Sequence, residues 1–331
     1  MVWITSACSG SLWSSWYILF QRLKVTSPEI LAKKASEPVM MPRRASVPCL
    51  NSRGWQSPWA MGAAIFCVAL CARLIAYRYI VYIPTSDFSN YYHMGAAFAR
   101  GDYAFIANLT STYQIPSFSG LAVINGVIMT VFGTSVRAFQ LAQCFITALI
   151  AVLTFLLARQ FDKASAPLAG LLFALYPANI VLSQVTNNQH IAILFALLAI
   201  WLAVLAFHQK KFVKTAALAL FSGAALLLSY YAHPSTVTTL VAFGIFWLLL
   251  VLSSLKQKRE LLRLGMILVS FCLGFFALRA GADAGLRAAG LSGEVKGGTC
   301  YLAKVVVGLN PDTVGGFSAE DYGAIAALPA E

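Results

Sequence analysis

Long apolar stretches separated by short polar ones dominate the chain from residue 59 onward. Most have about twenty residues, the length that a helix needs to cross the hydrocarbon core of a bilayer. Every backbone amide in lipid must be paired internally, and these lengths suit helices rather than barrel strands. The pattern predicts an all-α fold, a polytopic transmembrane helix bundle of about seven spans. The predicted spans are residues 59–83, 136–158, 167–184, 189–207, 212–231, 236–255 and 261–278.

The composition supports a membrane protein. Hydrophobic residues make up 59% of the chain and charged residues 11%, against about a quarter charged in a typical soluble domain. Lys and Arg number 24 and Asp and Glu 12. The basic residues lie in runs between apolar stretches, as they do where charge sets membrane orientation, so we do not expect nucleic acid as a partner. The basic loops, predicted to be cytoplasmic, are residues 159–163, 210–214 and 256–263.

One further apolar stretch, residues 116–132, is shorter, begins at Pro116 and carries Asn125 near its middle. If it crossed the membrane, each later basic loop would be placed on the outside, against the positive-inside rule. We therefore expect this segment to lie on or dip into the outer interface. It would belong to an external first loop, residues 84–135, that contains interfacial helices.

The two ends of the chain differ from the transmembrane domain, residues 59–278. Residues 1–58 are basic and contain several prolines, which predicts a disordered cytoplasmic tail, unless the start codon lies further downstream. Residues 279–331 hold four basic and six acidic residues, the opposite balance to the cytoplasmic loops, and we expect them to begin an external segment. The prediction is a multi-pass protein of the cell membrane with its N-terminus in the cytoplasm and its active face outside.

The external first loop has two carboxylates, Asp87 and Asp102. Asp87 follows the first span closely, where a carboxylate could meet a lipid-borne donor and take a proton from a water-soluble acceptor. It could equally be the N-cap of a helix over residues 88–100. Asp102 follows Gly101, a residue type that commonly closes helices, and is typical of a turn.

The order of motifs resembles that of a large superfamily of membrane glycosyltransferases that use polyprenyl-phosphate sugars, specifically a bacterial branch. The superfamily includes the protein O-mannosyltransferases and the lipid A aminoarabinose transferases. The resemblance covers roughly residues 59–321. The residues that carry it are Ser86-Asp87, Tyr91-Tyr92, Ala96-Ala97, Arg100-Gly101-Asp102-Tyr103, Ile115-Pro116 through Phe132-Gly133, Leu175-Tyr176-Pro177, Thr186-Asn187-Asn188-Gln189-His190, and Gly308-Leu309-Asn310-Pro311.

This resemblance implies transfer of a sugar from a polyprenyl-phosphate carrier to a glycan, lipid or protein acceptor outside the membrane, with membrane lipids around it. Asp87 would be the catalytic carboxylate. Family members often have a carboxylate where this chain has Gln189, and an amide cannot act as a base or a strong metal ligand. No cofactor is therefore certain, and a divalent metal is doubtful. Substrate-binding residues would be Tyr91, Arg100, Asp102, Gln189, His190, His233 and Lys304.

The phosphate of such a donor requires cations near the outer interface. Arg100, Arg137, Arg279 and Lys304 could supply them. Arg137 could instead anchor its helix end, and His233 could be purely structural.

Two other functions stay open. The family commonly continues with more helices or a soluble external domain, so a truncated or inactive member could serve as a non-catalytic membrane subunit. A transporter or flippase would need polar residues near the midplane of several helices. The later spans offer almost none, which counts against that alternative.

Overall fold

The computed structural model describes residues 57–113 and 117–293, and every regular element in these ranges is a helix. This confirms the predicted all-α fold. The predicted tail 1–58 lies almost wholly outside the described residues, as do Lys304 and most of segment 279–331. The helices are α1 (Pro58–Tyr79), α2 (Asp87–Arg100), α3 (Tyr103–Tyr113), α4 (Ser117–Phe132), α5 (Val136–Ala158), α6 (Ala166–Leu175), α7 (Pro177–Leu182), α8 (Asn188–His208), α9 (Phe212–Ala232), α10 (Thr236–Ser253), α11 (Lys258–Cys272), a π-helix (Leu273–Ala277) and α12 (Leu278–Ala288).

Six helices of the described part are long and apolar enough to cross a membrane: α1, α5, α8, α9, α10, and the continuous helix from α11 through α12. Their 18 to 31 residues meet the roughly 20 residues that a span requires. The chain is therefore a multi-pass membrane protein.

The third predicted span, residues 167–184, is not one helix. It is divided into α6 and α7 at Tyr176, whose backbone is extended (φ −64°, ψ 116°) because Pro177 disfavours a helical residue before it. Gly170 packs against Phe155 near the end of α5, and Gln184 O accepts a 2.8 Å hydrogen bond from Gln140 near its start. The segment thus runs back along α5 in two pieces.

Helix α4 contacts the spans at one end of the bundle. Gly120 lies against Tyr231 in the last turn of α9, and Met129 clusters with Phe139 and Ile191 near the starts of α5 and α8. With 16 residues it is about 24 Å long, short of a span. These contacts agree with the predicted interfacial placement of residues 116–132.

We call the end formed by α2, α3 and α4 the loop end, and the opposite end, formed by turns 159–165, 209–211 and 254–257, the basic end. The last span extends past the predicted limit at Leu278, since the helix continues to Ala288. A π-helix interrupts it where Gly274 lies against the backbone of Leu220, and Gly223 against that of Phe271. Small residues allow this close approach between spans.

Candidate functional site

Asp87 is the first residue of α2 and is exposed to solvent. The N-cap position belongs to Ser86, so the alternative in which Asp87 is the N-cap is wrong. A carboxylate in the first turn is still favoured by the helix dipole. Ser86 has φ 54° and ψ −138°, and it is the one non-glycine residue with positive φ in the described part of the chain. Such costly backbone conformations concentrate at functional sites.

Tyr91 lies one turn after Asp87. Its ring makes edge contacts with Phe88 and Phe118, at centroid distances of 6.3 and 6.2 Å, and its carbonyl oxygen accepts a 3.1 Å hydrogen bond from Asn125 Nδ2. Burial, and secondarily the negative charge of Asp87, raise the pKa of Tyr91 to about 12. The phenol next to Asp87 therefore stays neutral at physiological pH and can donate a hydrogen bond.

The turn before α8 lies beside the start of α2. Thr186 Oγ1 donates to the carbonyl oxygen of Phe88 at 3.3 Å, and Asn187 caps α8 by accepting from the backbone N–H of Gln189 at 2.8 Å. Gln189 is exposed, whereas His190 is only 7% exposed. The structure thus places the turn that precedes Gln189 and His190 beside the start of α2.

Arg100 and Asp102 are not brought to Asp87. Helix α2 places Arg100 thirteen residues further on, which is about 20 Å at 1.5 Å per residue. Asp102 Oδ1 accepts a 3.2 Å hydrogen bond from the backbone N–H of Phe105 in the first turn of α3. Gly101 closes α2 in the left-handed conformation (φ 77°), as predicted. Substrate contacts by Arg100 and Asp102 stay predictions.

The cations at this end differ in their surroundings. Arg137 Nη1 donates to the carbonyl oxygen of Ile80 at 3.0 Å, and the guanidinium lies 3.8 Å from the ring centroid of Tyr77. Arg137 therefore anchors the start of α5 to the end of α1. The Nδ1 atom of His233 lies 2.6 Å from Ser235 Oγ in the turn between α9 and α10.

The sequence analysis named Arg279 as a candidate cation but missed the side chains that surround it at the loop end. Asp283 Oδ2 lies 3.5 Å from Arg279 Nε, and Asp283 Oδ1 accepts a hydrogen bond from the hydroxyl of Tyr231. Arg279 Nη2 also donates to Tyr230 Oη at 3.1 Å. The i,i+4 spacing of Arg279 and Asp283 could have revealed the ion pair, but no sequence signal places two tyrosines from α9 beside it.

A buried polar cluster inside the bundle surrounds Arg73, and the sequence did not identify its members. It consists of Arg73, Gln143, Cys144, Thr147 and Gln184, all at most 1% exposed. Arg73 Nε donates to Thr147 Oγ1 at 2.8 Å, and Nη1 donates to two carbonyl oxygens at 2.9 Å each. Gln184 Nε2 donates to the carbonyl oxygen of Arg73 at 3.3 Å. The first spans therefore contain more internal polar contacts than the apolar pattern suggested.

Within residues 57–113 and 117–293, no three His, Cys, Asp or Glu side chains come together as metal ligands would. Comparison of the chain with protein-family models, with curated proteins and with solved structures found no match. The case for a function therefore rests on the residues and contacts of the chain itself.

Proposed function

We propose that the chain is a glycosyltransferase that moves a sugar from a polyprenyl-phosphate carrier to an acceptor at the loop end of the bundle. The observation that supports this most is the position of Asp87. It is an exposed carboxylate at the start of α2, shortly after α1 ends at Tyr79. A donor held in lipid and an acceptor held in water can both reach such a group.

In the proposed reaction, a hydroxyl oxygen of the acceptor attacks the anomeric carbon of the donor sugar while Asp87 takes the hydroxyl proton. The bond between the anomeric carbon and the phosphate oxygen breaks, and its electron pair stays on the phosphate. Polyprenyl phosphate then leaves. Tyr91, neutral and adjacent, would orient the acceptor by a hydrogen bond, and Gln189 would contact sugar hydroxyls from the neighbouring turn.

The distribution of charge supports an external active face. Turns at the basic end carry Lys210, Lys211 and Lys256 among others. Arg263 Nη2 donates to the carbonyl oxygen of Gln209 at 2.6 Å and so ties α11 to the 209–211 turn. Positive residues of short loops stay in the cytoplasm. The loop end would then face outside, where lipid-linked sugars meet their acceptors.

Arg279 is the cation that we propose for the donor phosphate. Its side chain is 36% exposed, and its ion pair with Asp283 and the 4.5 Å cation–π contact with Tyr230 fix its position. Arginine suits phosphate because its donors match the geometry of the oxygens. Arg100 and Arg137 are less suited, the first by distance from Asp87 and the second because it joins α1 to α5.

The test is transfer by Asp87→Asn in membranes supplied with a polyprenyl-linked sugar. Loss of a general base typically costs a factor of about 100 to 10,000, so we expect at least about a 100-fold loss, with partial recovery in Asp87→Glu. The matched control is Asp162→Asn, the same chemical change at the basic end, where Asp162 accepts from Ala164 N and Ser165 N at 3.2 Å each.

Equal turnover in Asp87→Asn and wild type would rule out the role of Asp87. No transfer by wild type, with any donor or acceptor from the cell envelope, would favour the alternative of a non-catalytic membrane subunit. Comparison of surface glycans and lipids with and without the gene would identify the sugar.

A second function, movement of a polar lipid across the membrane, is favoured by one observation. The broken segment α6–α7 contacts the polar cluster around Arg73, whose Nη1 donates to the carbonyl oxygen of Ala174 in α6, and transporters combine discontinuous helices with internal polar residues. Proteoliposomes separate the two functions. A flippase changes the sidedness of a lipid-linked sugar without an acceptor, whereas a transferase consumes the donor only when an acceptor is present.

A further inference from the structure

Arg73 is a fully buried cation inside a membrane-spanning helix, with 0% of its surface exposed. The two ion pairs in the described part of the chain, Arg263 with Glu260 and Arg279 with Asp283, do not involve it. Its hydrogen bonds run instead to Thr147 and to the carbonyl oxygens of Ala69 and Ala174. Charged side chains within spans are costly and usually mark a functional region.

Four polar atoms around Arg73 are buried and have no hydrogen-bond partner among the described residues. One is a donor, Arg73 Nη2, and two are acceptors, Gln143 Oε1 and Gln184 Oε1. The fourth, His190 Nδ1, can be either, depending on the tautomer. Arg73, Gln143 and Gln184 are 0% exposed and His190 is 7% exposed. Buried polar groups in proteins are rarely left without a partner.

Hydrogen bonds tie Arg73, Gln143 and Gln184 into one neighbourhood, and His190 lies one turn of α8 beyond it. Arg73 reaches Thr147, whose hydroxyl donates to the carbonyl oxygen of Gln143 at 2.7 Å. Gln143 Nε2 donates at 2.8 Å to the carbonyl oxygen of Asn187, three residues before His190. Gln184 Nε2 donates both to the carbonyl oxygen of Arg73 and to Cys144 Sγ, at 3.3 and 3.5 Å.

We propose that internal water molecules bind between Arg73 Nη2, Gln143 Oε1, Gln184 Oε1 and His190, and form a hydration site within the membrane. Water accepts from the guanidinium and donates to both amide oxygens, so it satisfies all of these atoms. An anion would pair with Arg73 but would face two carbonyl-type oxygens that repel it. Buried waters typically make about three hydrogen bonds with such groups.

This hydration site lies beneath the start of α2. Thr186, between Gln184 and Asn187, donates to the carbonyl oxygen of Phe88, the residue after Asp87. The binding of water depends on the buried atoms alone, and it holds whether or not the chain transfers a sugar.

The test is X-ray hydroxyl-radical footprinting of the full chain in lipid nanodiscs, read out by mass spectrometry. Radicals form from water where it is bound, so they oxidise side chains beside internal water even when bulk solvent does not reach them. Cys144 is the reporter, because its sulfur lies 3.5 Å from Gln184 Nε2. The matched controls are Cys67 and Cys71, which are exposed on α1 within its membrane span and would face lipid.

We expect Cys144, although 0% exposed, to be oxidised at least about five times faster than Cys67 and Cys71 in the wild-type chain. The Gln184→Leu variant lacks Gln184 Oε1, one of the atoms that would accept a hydrogen bond from the water. In this variant the oxidation rate of Cys144 should fall toward that of Cys67 and Cys71, while the rates of these two controls stay unchanged. Oxidation of wild-type Cys144 no faster than Cys67 and Cys71 would overturn the proposal. That result needs no variant, so misfolding of Gln184→Leu cannot obscure it.

Discussion

At the loop end, three helices of 11 to 16 residues pack over the ends of the spans, whereas at the basic end consecutive helices are joined by three to seven residues. The loop end also buries polar side chains such as Thr110, Ser119 and Asn125, each at most 1% exposed. At the basic end, the turns keep their lysines in solvent. The loop end is therefore a packed substructure of its own, whereas the basic end consists of short turns between helices.

Glycines show the same contrast. At the loop end, a β-carbon on Gly120 would meet the ring of Tyr231, and one on Gly126 would meet the ring of Phe98. Near the basic end, a β-carbon on Gly265 would have nothing within 4 Å. Close packing at Gly120 and Gly126 therefore fixes α4 against α9 and α2, whereas the turns of the basic end carry lysines in solvent. Close packing positions side chains for chemistry, and charge positions the whole bundle in the membrane.

The largest expected difference between the two ends is in their accessibility from outside the cell. Cysteines introduced at Thr112 and Thr134, both exposed at the loop end, should react with an impermeant maleimide added to intact cells. A cysteine at Gln257, exposed at the basic end, should react only after the membrane is opened. The labelling of the wild-type chain, which reports its native cysteines, is subtracted as background. Reaction of only one of the first two would place α4 across the membrane, and reaction of Gln257 first would invert the topology.

A large effect on folding is expected from Gly126→Leu. The new side chain must displace Phe98 and separate α2 from α4. Overpacking typically costs about 1–3 kcal/mol, and we expect the upper part of that range or failure to fold, measured as the melting temperature and the monodisperse fraction in detergent. Gly265→Leu, in open space on α11, is the matched control and should stay close to wild type. Equal losses in both would show that the loop end is not the more tightly packed.

The titration of Tyr91 gives an intermediate effect. Its folded pKa of about 12 exceeds the ordinary value of about 10, so the folded chain keeps a proton that the unfolded chain releases. This contribution to stability is complete below pH 10 and is lost as the pH rises toward 12. Absorbance at 295 nm of wild type minus Tyr91→Phe measures it. Asp87→Asn should lower this pKa only in part, since burial is the larger cause, and a pKa near 10 in wild type would contradict the packing around Tyr91.

The smallest effect is expected from the ion pair of Arg279 and Asp283. Both side chains are about one-third exposed, at 36% and 34%, and water screens such pairs. Asp283→Asn should lower the free energy of unfolding by less than about 1 kcal/mol. A double-mutant cycle with Arg279→Gln isolates the coupling. A loss several times larger would mean that Tyr231 and Asp283 hold α12 against α9 more firmly than their exposure suggests.

Much of the fold could be predicted from the sequence. The apolar stretches at 59–83, 136–158, 189–207, 212–231 and 236–255 all contain helices long enough to span, because segment length and hydropathy are local properties. Gly101 ends α2 as expected, because glycine lacks the β-carbon that disfavours a φ of 77° in other residues. The shortness of α4 could also be read from the chain. Sidedness and the roles of Asp87, Gln189 and Lys304 stay predictions.

The rest depended on contacts between distant residues. Pro177 signals a possible break, yet only packing along α5 shows that α6 and α7 form two pieces of one pass. The partners of Arg73 come from positions 147 and 174, and that of Tyr231 from position 283. No local pattern specifies them.

Which segments enter lipid follows from the local sequence, because the free energy of moving apolar side chains out of water is a sum over local residues. Which polar side chains meet inside the bundle follows from the packing of the helices. In lipid, a polar atom must find its partner within the protein, and the identity of that partner is settled by how helices far apart in the chain pack together.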